Sequence, residues 1–136
     1  WVEDDLRAAA NRMQALVGVT LGPLADRLDA SLRVQVTSKL ELRELAEGEI
    51  LFENGEAVRD LCLIGQGSIE LVKDGSVVGE IGVGEFVFAA EIMGGGKASA
   101  TARVGKGGAL VLASDRAVAQ ELMVTCPPLL EIFAGT

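Results

Sequence analysis

The chain contains no histidine and no tyrosine, and its 136 residues include one tryptophan and four phenylalanines. The absence of imidazole excludes metal centres that depend on histidine ligands, and it excludes Ser-His and Cys-His nucleophile systems. Paired carboxylates such as Asp4-Asp5 fall at helix-start and turn positions, where capping and solvation account for them. No G-x-x-x-x-G-K-[ST] phosphate loop is present. We therefore expect no catalytic residue, no metal site and no enzymatic activity.

Cysteine and positive charge are scarce too. Cys62 and Cys126 are too few for a disulfide framework and favour a reducing, cytoplasmic setting. The twelve Lys and Arg residues are scattered and the net charge is −8, which argues against nucleic-acid binding. No apolar run approaches the ~20 residues of a membrane span, so no membrane insertion is expected. The chain begins at Trp1 without a signal sequence, and we expect it to be one domain of a longer protein.

Apolar residues recur at helical spacing at both ends of the chain and alternate in the middle. Leu6, Met13 and Val17 predict a first helix ending near Gly18, and a second apolar stripe, Leu24, Leu28 and Leu32, predicts another. Short strands are predicted over 40–45, 50–52, 61–64, 68–73, 77–81, 101–104 and 109–113. Asp74-Gly75 is the strongest hairpin signal in the chain. The pattern predicts a sandwich or barrel with flanking helices.

The last part of the chain is predicted to be helical. Ser114 is the expected N-cap of a helix that ends near Cys126, because the residue before Pro127 avoids helical backbone angles. A final short helix over 129–133 is expected to stop at Gly135.

Two segments resemble the cyclic nucleotide-binding domain family. The stretch GEILFENGE at 48–56 is similar to its G-E-x-L-F-x-x-G-D segment, and DLCLIGQGSI at 60–69 is similar to D-x-L-Y-x-I-x-x-G-x-V. The resemblance runs from about Leu24 to the end of the chain. It implies a single, mainly β domain: an N-terminal helical segment over 1–38 that packs on the barrel, an eight-stranded jelly roll over 39–113 with a ligand cassette at 82–101, and C-terminal helices over 114–136.

The family binds its ligand through a cassette with the pattern L-G-x-G-[DE]-F-x-G-E-x-A-L-x-x-x-x-x-R-[AS]-A-T. An ungapped alignment places Phe88 and Ala89 at the Gly-Glu pair and Ala98 at the arginine. In the family the carboxylate accepts a hydrogen bond from a ribose hydroxyl, and the arginine neutralises the cyclic phosphate. The resemblance therefore implies a cassette that keeps its shape and has lost the groups that hold a cyclic nucleotide.

Alternatives remain open at three features of this cassette. A slipped register would make Gly84-Glu85 the Gly-Glu pair and Lys97 the cation, whereas Lys97 is otherwise a solvated loop residue. Gly94-Gly95-Gly96 is either a connector or a nest of N–H groups that binds an anion. Glu91 either repels an incoming phosphate or faces solvent. The full set of candidate cassette residues is Gly84, Glu85, Phe86, Phe88, Ala89, Gly95, Lys97, Ala98 and Ser99.

Two functions follow from these observations. The first is a regulatory module of a larger signalling protein that does not bind cAMP or cGMP in the usual way, and has no cofactor. Its pocket would be closed by Phe86, Phe88 and Met93, and it would act through conformational relay, with residues 117–133 as the output, or through protein interaction. Its expected partners are other domains of a longer parent, a protein partner or a second copy. The alternative is a sensor that binds a cyclic nucleotide or another small anion through Gly94-Gly95-Gly96 and Lys97.

Overall fold

The computed structural model describes residues 2–20 and 28–134 and contains helices at both ends of a bent antiparallel sheet. The helices are α1 (Val2–Thr20), α2 (Ala30–Ser38), α3 (Ala89–Gly94), α4 (Arg116–Thr125) and α5 (Pro128–Ala134). The strands are β1 (Glu41–Leu45), β2 (Ile50–Phe52), β3 (Asp60–Lys73), β4 (Ser76–Ile81), β5 (Phe86–Val87) and β6 (Thr101–Asp115). This is the jelly roll with flanking helices that the sequence predicted.

The long strands β3 and β6 pair with each other and organise the sheet, whose order is β1-β6-β3-β4, with β2 on β6 and β5 on β3. The first half of β3 pairs with β5 and its second half pairs with β4. The first half of β6 pairs with β2 and its second half pairs with β1. The register shifts twice in between, from Ile64 to Gln66 and from Gly67 to Ile69. These bulges bend the strands and turn the corner of the roll.

Within the described residues the roll has six strands, where the sequence predicted eight. The predicted pairs 61–64 with 68–73 and 101–104 with 109–113 are each one continuous strand, because the bulges bend β3 and β6 without ending their pairing. Gly67 shows why a glycine is needed at this bend: its φ is 86°, and a Cβ there would lie 2.3 Å from the carbonyl oxygen of Gly108. Strand β5 was not predicted.

The Asp74-Gly75 hairpin between β3 and β4 is confirmed. Both residues have positive φ, 53° and 78°, as a two-residue turn of this type requires.

Several helix ends differ from the sequence prediction. Helix α1 continues past Gly18 to Thr20. The second helix begins at Ala30, after Leu28, because the Asp29 side chain accepts a hydrogen bond from the N–H of Leu32 at 2.8 Å. The predicted contribution of Leu24 to this helix lies outside the described residues.

The N-cap of α4 is Asp115, and the prediction of Ser114 is wrong. The Asp115 side chain accepts a hydrogen bond from the N–H of Val118 at 2.9 Å, whereas the hydroxyl of Ser114 donates to the carbonyl oxygen of Asp115. The predicted end near Cys126 is confirmed, and α5 follows directly after Pro127.

The core lies inside the roll and under α3, α4 and α5. It is mainly aliphatic, with Leu61, Ile64, Leu112 and Leu129 among its fully buried side chains. Both cysteines are free and buried. Within residues 2–20 and 28–134, no helix has the length and apolar character needed to cross a membrane.

Candidate functional site

The cassette segment, residues 82–101, runs from a tight turn through β5 and α3 and back to β6. Strand β5 fixes its position on the roll, because Phe86 and Val87 pair with Leu63 and Cys62 of β3. Both β5 side chains are buried. The cassette segment is therefore attached to the sheet immediately before the helix that would face a ligand.

Phe88 lies between β5 and α3 in a left-handed conformation, with φ 51° and ψ 40°. A residue with a Cβ is strained in this region by roughly 1–2 kcal/mol, and the aligned family pattern has glycine here. The Phe88 ring is buried and packs edge-to-face on Phe52 of β2, with the ring centroids 6.0 Å apart. The ring contact offsets the backbone strain and fills space inside the roll with an apolar side chain.

The other two positions that carry the family's chemistry are small and apolar. Ala89 is the first residue of α3 and is 1% exposed, and Ala98 on the return segment is 2% exposed. The backbone of Ala98 is fixed by hydrogen bonds with the N–H of Gly55 and the carbonyl of Glu56, both 2.8 Å long. Both side chains point into the protein, and neither offers a hydrogen-bonding or charged group to a nucleotide.

Gly84 and Glu85 lie in the turn before β5, away from the start of α3. The N–H of Gly84 donates to the carbonyl of Ile64 at 2.7 Å, and the exposed Glu85 side chain accepts a hydrogen bond from the N–H of Gly82 at 3.3 Å. Phe88 and Ala89, rather than Gly84 and Glu85, are the pair that begins the cassette helix.

Gly94, Gly95 and Gly96 form the C-terminal end of α3. Gly95 is left-handed, with φ 69°, and the N–H groups of Gly95 and Gly96 both donate to the carbonyl of Glu91. Two of the three N–H groups that an anion nest would use are thus engaged in capping the helix. A helix C-terminus also carries partial negative charge, which disfavours an anion.

The charged side chains of the cassette segment are poorly placed for a phosphate. Lys97 is exposed, on a short backbone bridge to Ala57, and Ser99 is exposed beside it. Glu91 on α3 has a buried Oε2 that accepts no hydrogen bond. Arg103 of β6, just beyond the segment, donates to Glu70 of the neighbouring strand at 3.4 Å. A carboxylate oxygen in the position of Glu91 Oε2 repels an anion.

A second aromatic pair connects the cassette segment to the last helix. The ring of Phe86 packs edge-to-face on Phe133 of α5, with centroids 5.0 Å apart, and Phe133 is fully buried. Helix α3 also packs against α4 and α5. The side chain of Met93, which was predicted to help close the pocket, lies outside what the structure describes. The Phe86–Phe133 contact therefore joins the cassette segment to α5.

Cys62 lies beside the cassette segment on β3 and is chemically inert at neutral pH. Burial, and to a lesser extent the charge of Asp60, raise the pKa of its thiol from an ordinary value of 9.0 to about 12, with Arg43 acting in the opposite direction. The reactive thiolate is therefore suppressed. Across the described part of the chain, no group of three or more His, Cys, Asp or Glu side chains is arranged to hold a metal ion.

The sequence matches the family model of the cyclic nucleotide-binding domain over residues 42–125, which is more than half of the chain. The chain therefore belongs to the cyclic nucleotide-binding domain family, as its sequence predicted. A comparison with curated proteins finds no significant match.

Solved structures share the fold at low identity. A PKAR CBD2 domain bound to Sp-2Cl-cAMPS has a TM-score of 0.74 at 18% identity, over 91% of this chain and 84% of that one. The catabolite activator protein of Thermus thermophilus has a TM-score of 0.72 at 22% identity, over 84% of this chain and 55% of that one. The regulatory subunit of a cAMP-independent protein kinase A from Trypanosoma brucei has a TM-score of 0.68 at 23% identity, over 83% of this chain and 41% of that one. This chain thus spans about half the length, or less, of the latter two proteins.

Two residues of the site were not singled out from the sequence. Phe52 was recognised only as part of a strand, and Phe133 only as part of an apolar helix. Each belongs to an aromatic pair with the cassette segment. The scarcity of aromatic residues was the available signal, since four phenylalanines in 136 residues form two pairs.

Proposed function

We propose that this chain is a regulatory module of a larger cytoplasmic signalling protein, and that it does not bind cAMP or cGMP in the way usual for its family. It has no catalytic role and acts through its conformation or through protein interaction. The observation that carries the proposal is the state of the three positions that hold the ligand in the family. They are occupied by Phe88, Ala89 and Ala98, all of which are buried and apolar.

The cost of placing a nucleotide at this site supports the proposal. A cyclic phosphate brings a negative charge that needs a cation or several N–H donors once it leaves water. Here the buried Ala98 has no charge, the N–H groups of Gly95 and Gly96 are engaged, and the Glu91 carboxylate opposes the phosphate. The Phe88 ring adds bulk where the family pattern has glycine.

A relay function is supported by the two aromatic pairs. Phe88 joins the cassette segment to β2 through Phe52, and Phe86 joins it to α5 through Phe133. These two ring contacts link β2, the cassette segment and α5 through buried apolar side chains, so that a conformational change in β2 or in α5 would reach the other element without a bound ligand. We expect a partner that binds α4 or α5 either to trigger this conformational change or to respond to it.

The alternative is a sensor in which Lys97 binds a small anion. Its support is one observation, the exposure of Lys97 immediately before the position of the family's arginine. The capped end of α3 argues against it, because the N–H groups of Gly95 and Gly96 are not available to assist the lysine.

A gain-of-binding experiment tests the proposal. The triple variant Phe88→Gly, Ala89→Glu, Ala98→Arg restores the family's residues at the three positions. We expect it to bind cAMP or cGMP in a calorimetric titration, and we expect the unmodified chain to show no heat of binding. A control with Ala98→Gln in place of Ala98→Arg adds a polar side chain without charge and is expected not to bind. A folded triple variant that still fails to bind would show that these three positions do not account for the loss. Circular dichroism establishes folding.

A further inference from the structure

Helix α1 has two apolar faces, and only one of them packs on the roll. The inner face is made of small residues that approach the first bulge of β3 closely. A Cβ built on Gly18 would lie 1.9 Å from the carbonyl oxygen of Gly65, and one built on Gly65 would lie 2.5 Å from the Cβ of Ala15. This tight contact fixes the rotation of α1 about its own axis, and therefore fixes which residues face away from the roll.

The residues that face away form a second apolar row, which we call the outer stripe: Leu6, Ala10, Met13 and Val17. Their spacing of four, three and four residues is the spacing of a coiled-coil seam. The three large side chains are 65%, 67% and 58% exposed, and Ala10 is exposed as well. A helix that served only to cover the roll would need one apolar face, so the outer stripe has the pattern of a helix that packs against another helix.

An open groove of about 610 Å³ runs beside the outer stripe. Met13 and Val17 form one wall, Gly65 and Gln66 lie at its base, and Val83, which is 38% exposed, is on the far side. An apolar groove that borders an exposed helical seam suits an amphipathic helix laid along it. The occupant is therefore a helix with apolar residues at the same spacing.

The outer stripe of a second copy meets this requirement when the two helices run antiparallel. Pairing Leu6 with Val17 of the partner copy places Ala10 opposite Met13 of the partner copy, so that a small side chain faces a large one across the seam. The two-fold symmetry repeats each contact twice. Positions 7 and 14 flank the seam and then lie opposite each other. Gln14 is uncharged and Arg7 forms an ion pair with Glu44 of its own roll at 3.1 Å, so no like charges meet across the seam.

The charge of α1 selects the antiparallel orientation. A parallel pair would bring Glu3, Asp4 and Asp5 of both copies together at one end, where like charges repel. In the antiparallel pair these acidic segments lie about 20 Å apart at 1.5 Å per residue, beyond a Debye length of roughly 8 Å at physiological salt. Charge repulsion thus disfavours the parallel alternative and is screened in the antiparallel one.

We propose that the chain forms a two-fold dimer through antiparallel pairing of the α1 outer stripes, with Ala10 and Met13 of both copies at the centre of the seam. This goes beyond the proposed function, since it does not depend on whether a nucleotide binds. The dimer is tested by the molecular mass of the chain in solution, and nucleotide binding is tested by calorimetry. The failure of one proposal is therefore distinguishable from the failure of the other.

Sedimentation or light scattering of the purified chain, from micromolar to hundreds of micromolar, is the first test. We expect a dimer that is lost in Met13→Lys and in Leu6→Lys. The matched control is Val124→Lys on α4, which changes an equally apolar and 80% exposed residue on another surface and should leave the dimer intact. A monomer at the highest concentration, a dimer that survives both α1 variants, or a dimer that Val124→Lys dissociates would overturn the proposal.

Disulfide trapping tests the orientation. The double variant Leu6→Cys, Val17→Cys should form an intermolecular disulfide under mild oxidation. The single variants Leu6→Cys, Val17→Cys and Met13→Cys should do so far less, because in the antiparallel seam none of these residues faces its own copy. The native cysteines are buried and do not interfere. In a parallel pair each residue would face its own copy, so efficient trapping of any of the three single variants would indicate a parallel pair and would overturn the antiparallel seam.

Discussion

Replacing Phe88 with alanine and with glycine separates its two unusual properties, a buried ring and a left-handed backbone. Both variants lose the ring packed on Phe52, and truncation of a buried phenylalanine typically costs about 3–5 kcal/mol. Alanine keeps the strain of a residue with φ 51°, which is roughly 1–2 kcal/mol. Glycine relieves that strain but loses more conformational entropy on folding, by roughly 0.4–1 kcal/mol.

The glycine variant should therefore be more stable than the alanine variant by about 0.5–1 kcal/mol, although both are less stable than the unmodified chain. Denaturant unfolding monitored by circular dichroism measures the difference as a shift of midpoint at constant slope. The order is the reverse of that expected at an ordinary position, where alanine exceeds glycine. An alanine variant more stable than the glycine variant would refute the left-handed backbone at Phe88, and a loss below about 1 kcal/mol in both would refute the buried ring.

Three further predictions address other parts of the structure. Phe133→Ala should increase amide hydrogen exchange in the cassette segment as well as in α5, because the Phe86–Phe133 contact joins them; exchange confined to α5 would contradict the relay. Gly18→Ala should destabilise the chain by about 1–3 kcal/mol despite the better helix propensity of alanine, since its Cβ would overlap the carbonyl oxygen of Gly65 in β3. The control is Gly82→Ala, whose Cβ would make an ordinary 3.5 Å contact with Glu85 and should change stability by less than about 0.5 kcal/mol. The Cys62 thiol should resist thiol reagents at pH 8 until the protein is unfolded. Because its pKa is higher in the folded chain than in the unfolded one, its contribution to stability is complete below pH 9.0 and is lost as the pH rises toward about 12. Unfolding curves measured at increasing pH would detect this loss.

Much of the fold follows from local sequence signals. Asp74-Gly75 predicts a tight hairpin, and the structure has the two-residue turn that pairs Lys73 with Ser76. The number of strands was harder to predict because a bulge and a loop look alike in sequence. The glycines at 65–67 and 105–108 could end a strand or bend it, and only the pairing of β3 with β6 through both bends decides between them.

The sequence predicted which ligand-binding side chains are missing from the candidate site, but it did not predict the contacts made by the residues in their place. The residues at 88, 89 and 98 could be compared with the family pattern directly. The position of the Phe88 ring on Phe52 could not, because those residues are 36 positions apart and meet only when the roll closes. The role of Gly94-Gly95-Gly96 was likewise undecided, since successive glycines suit a connector, an anion nest and a helix C-cap equally, and the hydrogen bonds to Glu91 distinguish them.

The cap of α4 shows the limit of local rules. Ser114 and Asp115 are both good N-cap residues, and sequence alone gives little reason to choose between them. The pairing of Leu61 with Ser114 and of Asp60 with Asp115 extends β6 through both residues, so the helix begins one residue later than expected.

Calorimetric titration of the unmodified chain with cAMP, cGMP and cyclic dinucleotides tests whether the cassette segment has kept its shape and lost its ligand chemistry. A ligand at a hundred times its dissociation constant stabilises a folded protein by about 2.7 kcal/mol, so a thermal-shift measurement on the same samples gives an independent readout. We predict no saturable heat and no shift at millimolar ligand. Saturable binding that Lys97→Ala abolishes would contradict the loss of ligand chemistry and would establish the sensor.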